Sequence, residues 1–140
     1  QAAVLQLLNE LKEDYQTTYI FVSHDLAVVK ALSDRVTVLY QGRICEIGPT
    51  KSVFGKFSHP YTEVLLGAVL EPDPDSRPKL LATDTVELAP PSSGCPFQRR
   101  CNKKIGSICE LEKPPPRVGK TNHTIFCHIP TEDLFGKATQ

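Results

Sequence analysis

The sequence predicts an α/β fold, with a core of helices and strands over residues 1–70 and an irregular, proline-rich extension over residues 71–140. Through the first part, apolar residues recur at helical spacing or in short strand-like runs. Ten of the twelve prolines lie between Pro72 and Pro130, where no periodicity is sustained. Four of the five cysteines also lie in this extension. Because it has few apolar residues for a core, we expect a bound metal to hold it together.

The first elements follow from short-range patterns. An amphipathic helix opens the chain, with its apolar residues three or four positions apart: Val4, Leu7, Leu8, Leu11 and Tyr15. The all-apolar run from Tyr19 to Val22 is typical of a strand buried on both faces, and we expect the first helix to pack on it. A short helix from Leu26 to Leu32 follows.

A hairpin and a further helix complete the predicted core. The strand Val36 to Tyr40 leads into a Gln41-Gly42 turn, and the alternation in residues 43–47 predicts a half-exposed return strand. Thr50 is placed to cap a helical turn through Val53 and Phe54. Another helix begins near Pro60, since proline is tolerated in a first turn. The charged, proline-containing residues 71–75 predict a stiff linker.

Composition excludes several classes of protein. The formal net charge is zero and 40% of residues are hydrophobic, which is typical of a globular chain. No apolar run approaches the roughly 18 residues of a membrane-spanning helix. An odd number of cysteines and no visible secretion signal argue against a disulfide framework. These features predict an intracellular protein that is soluble or peripheral to a membrane.

Ser23-His24-Asp25 ends the predicted buried strand, and this position favours a ligand site. Ligands of α/β sheets bind beyond the carboxyl ends of strands. A histidine there can hydrogen-bond a phosphate or orient a water molecule. The alternative is a polar turn residue with no role in catalysis.

The sequence of residues 19–29, YIFVSHDLAVV, closely resembles the switch segment, or H-loop, of ABC transporter ATPases. The resemblance continues through Ser33 to Val36, the Tyr40 to Ile44 hairpin and residues 46–50. The motif His59-Pro60-Tyr61-Thr62 with Leu65-Leu66 is similar to the oligopeptide and dipeptide importer branch. The resemblance implies that His24 is the catalytic switch histidine, binds the γ-phosphate of the nucleotide and helps to place the attacking water.

The resemblance implies an ATPase that uses ATP and Mg²⁺. Of the ATP site of such an enzyme, this chain contains only the histidine. The sequence contains no G-x-x-x-x-G-K-[ST] loop, no LSGGQ-type signature and no strand ending in an Asp-Glu pair. We therefore expect the chain to be a C-terminal part of an ATP-binding subunit and to be inactive alone. The implied partners are a second ATPase subunit or domain, two membrane permease subunits and, indirectly, an extracytoplasmic solute-binding protein. The implied location is the cytoplasmic face of the inner membrane.

The cysteine spacing is Cys95-x5-Cys101-x7-Cys109-x17-Cys127, and four thiolates favour zinc or an iron–sulfur cluster. The C-x2-4-C pairs usual in structural zinc sites are absent, but spacing leaves both metals open. Seven basic residues and two acidic residues lie between Gly94 and Pro130, which suits an anionic metal centre. The alternative is four unligated cysteines in a flexible tail.

Residues 93–101, SGCPFQRRC, together with Cys109-Glu110 and Phe126-Cys127-His128, resemble the C-terminal extension of peptide-importer ATPases. The resemblance implies a four-iron, four-sulfur cluster, with zinc as the alternative. It gives no ligand role to His123 or His128, although either could serve chemically. Cys45, in the hairpin, is interpreted as a small packed residue.

Two other functions compete with that of an energy-coupling subunit. The basic extension could belong to a metal-stapled module that binds nucleic acid, but the zero net charge and few aromatic residues argue against it. An iron–sulfur redox protein is the other alternative, and a single cluster without an electron partner is more often structural. The sequence leaves open whether the solute is a peptide, nickel or glutathione, and whether the subunit has one ATPase domain or two.

Overall fold

The computed structural model describes residues 2–70 and 89–136. The chain divides into two compact units, residues 1–34 and residues 35–140. The predicted linker over residues 71–75 lies outside the described residues. The division after residue 70 into a core and an extension therefore stays a prediction.

The first unit contains the two predicted helices. Helix α1 spans Ala2–Tyr15 and helix α2 spans Leu26–Leu32. Asp25 caps α2, because its side chain accepts hydrogen bonds from the backbone N–H groups of Ala27 and Val28. Both helices confirm the predictions made from the apolar residues of the sequence.

The strand predicted for Tyr19–Val22 is wrong for this structure. The segment has no regular secondary structure, and Ile20 and Val22 are 97% and 95% exposed. No residue of α1 is buried, so the predicted packing of this helix on the strand is also wrong. A strand requires backbone hydrogen bonds to a neighbour, and the described residues place no strand beside this segment.

The second unit begins with the predicted hairpin and helix. Strands β1, Arg35–Tyr40, and β2, Arg43–Pro49, are antiparallel. Gln41 and Gly42 have φ values of 48° and 75°, as in the turn type that suits a two-residue hairpin. The one-turn helix α3, Thr50–Val53, and helix α4, Pro60–Leu70, follow. The predicted cap at Thr50 is wrong, because Thr50 is the first residue of α3 and Pro49 precedes it without a capping side chain.

The predicted extension is more regular than its sequence indicates. It contains the one-turn helices α5, Ile108–Leu111, and α6, Thr131–Leu134. Strands β3, Pro116–Val118, and β4, Thr124–Phe126, are joined by a 3-10 turn. The sheet order is β1-β2-β4-β3, and every pairing is antiparallel. The fold is therefore mixed helix and sheet, and the sheet joins the hairpin to the extension.

A β-bulge in the hairpin changes which side chains of β2 are buried. Val38 pairs with Glu46 and Leu39 pairs with Ile44, so Cys45 is an extra residue. Cys45 and Glu46 are consequently buried one after the other. This finding corrects the predicted alternation of β2, and it confirms Cys45 as a packed residue.

Aromatic residues connect the extension to the hairpin and to α4. The ring centroid of Phe97 lies 5.2 Å from that of Tyr40 and 5.4 Å from that of Tyr61. Ile125, Cys127 and Leu134 form a second buried cluster. None of the helices in the described ranges is long and apolar enough to cross a bilayer.

Candidate functional site

His24 lies in an exposed position at the start of a helix. Ser23 Oγ accepts a hydrogen bond from Asp25 N at 3.0 Å, and Asp25 Oδ1 accepts one from Ala27 N at 2.9 Å. These bonds hold the backbone on both sides of His24 and leave the imidazole exposed. An exposed imidazole in this position can contact a ligand. The catalytic role of His24 stays a prediction.

The four cysteines of the extension, far apart in sequence, line one small cavity. The cavity is lined by Cys95, Cys101, Cys109 and Cys127, together with residues that include His59, Pro60 and His128. Three of these thiols are buried, and that of Cys101 is partly exposed. All five cysteines of the chain are free thiols.

Backbone contacts bring the cysteine segments together. Cys95 N donates a hydrogen bond to Cys109 O at 2.8 Å, and Cys127 N donates one to Pro115 O at 3.2 Å. Gly94, with φ of +77°, allows the chain to approach the carbonyl groups of Cys109 and Glu110. The cysteine cavity is thus built by close packing of backbone from three segments.

Arg117 acts on the same site through the backbone. Its Nε donates to Cys127 O at 3.2 Å and its Nη2 donates to His128 O at 3.1 Å. A guanidinium has several donors in a fixed plane, so it can fix two successive carbonyl groups at once. Arg117 therefore positions the segment that carries Cys127.

The environment of three of the cavity thiols favours their protonated form. Burial raises the pKa of Cys95 to about 11 and also raises the pKa values of Cys101 and Cys127. Metal ligation requires the thiolate form, so binding of a metal here would release protons.

The predicted basic surroundings are partly neutralised. Lys103 forms a salt bridge with Glu63 at 2.6 Å, and Lys104 forms one with Glu110. Among the described residues, no group of three or more His, Cys, Asp or Glu side chains is arranged to hold a metal ion. The four thiols are of a type that suits a soft metal, but in the described part of the chain they are not arranged to coordinate one.

The histidines that the sequence suggested as alternative ligands lie in different places. His128 lines the cavity, and its Nε2 lies 2.9 Å from Glu112 O. His123 instead pairs with Glu46, with its Nε2 2.5 Å from Glu46 Oε1. His59 was not predicted to line the cavity, and the only local signal was its position before Pro60 at a helix start.

Glu46 is the other residue that the sequence did not single out. It is fully buried, and His59, Thr62 and His123 all hydrogen-bond to its carboxylate. The bulge at Cys45 breaks the alternation of β2, so Glu46 is buried directly after Cys45.

Comparison with known proteins agrees with the resemblance in the sequence. Residues 45–109 match the family model described as the oligopeptide/dipeptide transporter, C-terminal region. A relative from Brucella ovis, which carries the name of a peptide import ATP-binding protein, is 42% identical over 129 residues. The alignment covers 91% of this chain and 40% of the relative.

Two further relatives carry related names. An oligopeptide transport ATP-binding protein of Haemophilus influenzae is 40% identical over 91% of this chain and 39% of its own length. A dipeptide transport ATP-binding protein of Caldanaerobacter subterraneus is 39% identical over 92% of this chain and 40% of its own length. Neither these relatives nor the family match supports a nucleic-acid-binding module or a redox protein.

The chain therefore matches the oligopeptide/dipeptide transporter C-terminal region over residues 45–109, and over 91–92% of its length it is similar to ATP-binding proteins of peptide, oligopeptide and dipeptide transport. It spans about 40% of the length of the curated relatives it matches.

Proposed function

We propose that the full protein is the energy-coupling subunit of an ABC importer and hydrolyses ATP, with Mg²⁺, to drive uptake of peptides or related solutes. The observation that carries this proposal is the similarity over 91–92% of the chain to proteins named for peptide, oligopeptide and dipeptide import. The subunit pairs with a second ATPase subunit or domain and docks on two membrane permeases. An extracytoplasmic solute-binding protein delivers the solute, and the subunit works peripherally at the cytoplasmic face of the membrane.

His24 is the residue of this chain that contacts the nucleotide in the proposed function. Its exposed imidazole follows a loop and precedes the capped start of α2, so a γ-phosphate can approach it without rearrangement of the helix. It orients the attacking water and stabilises the charge on the transferred phosphoryl group. The remaining groups that phosphoryl transfer requires are not in this sequence, so the chain alone should not hydrolyse ATP.

The test is a substitution of His24 in the full protein. His24→Ala should leave ATP binding nearly unchanged and lower turnover by about 100-fold, the usual scale of a catalytic contact. Lys51→Ala, at an exposed position of α3, is the control and should keep normal turnover. Normal turnover in the His24 variant would contradict its assignment.

We infer that residues 1–70 complete the ATP-binding domain and that residues 71–140 form its extension, with Cys95, Cys101, Cys109 and Cys127 as the ligands of one four-iron, four-sulfur cluster. Their place around one cavity supports this set. Such a cluster, when bound, supplies iron–thiolate bonds that cross-link the segments carrying the four cysteines. Zinc is the alternative metal, because the same thiols also suit it.

Metal analysis of anaerobically purified protein distinguishes the two metals. The cluster predicts about four iron and four sulfide per chain and a brown colour. Substitution of any of the four cysteines by alanine should remove the iron, whereas Cys45→Ala is the matched control and should retain it. One zinc per chain and no iron, from cells grown with ample iron, would exclude the cluster and leave zinc.

A further inference from the structure

The carboxylate of Glu46 is fully buried and serves two different parts of the fold. Its Oε2 accepts hydrogen bonds from His59 N at 2.8 Å and from Thr62 Oγ1 at 2.6 Å. Its Oε1 lies 2.5 Å from His123 Nε2. A buried carboxylate is strongly unfavourable without such donors, so these three contacts stabilise it in the interior.

Oxygen Oε2 holds the start of α4. The first N–H groups of a helix have no partner within the helix, and a carboxylate near them is favoured by the helix dipole. His59 immediately precedes α4, and Thr62 lies in its first turn. The imidazole of His59 also bonds to the start of α4, because its Nδ1 accepts a hydrogen bond from Tyr61 N at 3.0 Å.

Oxygen Oε1 holds the extension through His123. The ring of His123 packs edge-on against Phe135, with centroids 5.2 Å apart. Gly48 of β2 leaves room for this ring, because a Cβ at that position would lie 2.9 Å from His123 Cδ2. Packing on both sides therefore keeps His123 aimed at Glu46.

We propose that Glu46 is a conformational latch between helix α4 and the extension, so that the start of α4 and residues 116–126 loosen or tighten together. If the extension moves, His123 leaves Oε1 and the buried carboxylate lacks one of its donors. The carboxylate then draws in water, which competes for His59 N and Thr62 Oγ1 as well. The reverse holds when the start of α4 moves first.

A residue that bonds to Glu46 also lines the cysteine cavity. His59 and Pro60, at the start of α4, line the cavity together with the four cysteines. An event that orders the cysteine segments should therefore also order α4, the last helix before the predicted linker. This coupling does not require ATP binding, so it is separate from the proposed function.

Hydrogen–deuterium exchange on the full protein tests the latch with one variant on each side. Thr62→Val keeps the side-chain shape and removes the donor to Oε2, and we expect faster exchange in residues 116–126 as well as at the start of α4. His123→Leu removes the donor to Oε1 and should speed exchange of residues 59–63 as well as the extension. Each remote effect should be about tenfold or more, the scale of one lost hydrogen bond to a charged group.

Ile105→Ala is the control, because Ile105 is exposed in the extension and is not among the residues that bond to Glu46. It should leave exchange unchanged both in residues 116–126 and in residues 59–63. The latch is wrong if Thr62→Val affects only the helix and His123→Leu affects only the extension. If His123→Leu does not fold, the response of residues 116–126 to the milder Thr62→Val decides the question.

Discussion

Gly94 offers a sharp test of how the cysteine segments are packed, because Gly42 provides a matched control. Both residues have a positive φ, +77° for Gly94 and +75° for Gly42. A Cβ on Gly42 would meet nothing within 4 Å, whereas one on Gly94 would lie 2.5 Å from Glu110 O and also overlap Cys109 O. The two glycine-to-alanine variants therefore share the backbone strain and differ in the steric overlap.

The expected magnitudes follow from these contacts. Gly42→Ala should lower the free energy of unfolding by about 1–2 kcal/mol, the cost of a left-handed conformation for a residue with a Cβ. Gly94→Ala adds an overlap of about 1–3 kcal/mol, for a total of about 2–5 kcal/mol. The carbonyl groups cannot easily retreat, because Cys109 O accepts from Cys95 N at 2.8 Å and Glu110 O accepts from Ser93 Oγ at 2.8 Å.

Urea denaturation followed by circular dichroism measures both free energies, and the reactivity of the thiols with a disulfide reagent measures access to the cavity. We expect the thiols of Cys95 and Cys109 to react faster in Gly94→Ala and at the original rate in Gly42→Ala. Equal losses of stability in the two variants, within about 0.5 kcal/mol, would refute the close approach at Gly94.

Two further predictions concern the start of α4 and the aromatic residues around it. Burial lowers the pKa of His59 from 6.5 to about 4, so between these values the unfolded chain binds a proton that the folded chain does not. The free energy of unfolding should therefore fall as the pH drops from about 6.5 to about 4, by up to roughly 3 kcal/mol, and a His59→Gln variant with the same slope would contradict this. Phe97→Ala should lower the free energy of unfolding by about 3–5 kcal/mol, as for a buried ring, whereas the exposed control Ile105→Ala should lower it by less than about 1 kcal/mol in the same urea titration. A loss for Phe97→Ala as small as the control would show that the contacts with Tyr40 and Tyr61 are not formed.

Helices α1 to α4 and the hairpin were predictable because their signals are local. Apolar residues three and four apart predicted α1, and the proline at a tolerated first-turn position predicted the start of α4. The Gln41-Gly42 turn between two apolar runs predicted the hairpin. The short sequence motifs around His24 and around the cysteines likewise pointed to the family, since each motif is continuous in sequence.

The segment Tyr19–Val22 shows where local information fails. Its apolar composition indicates a buried strand, but its backbone bonds must come from another part of a chain, and the described residues supply none. The bulge at Cys45 is a similar case, because the partner strand determines which residue of β2 is extra. Glu46 is consequently buried directly after Cys45, against the predicted alternation.

The sequence determined the resemblance to the family, helices α1 to α4, the hairpin and the identity of the candidate ligands, because each depends on residues close together along the chain. Only the tertiary structure decided that the hairpin and the extension share one sheet and that four distant cysteines line one cavity. It also decided the role of Glu46, whose partners lie 13, 16 and 77 residues away. Burial of a carboxylate is tolerable only when donors surround it, and donors from such distant positions are brought together by folding alone.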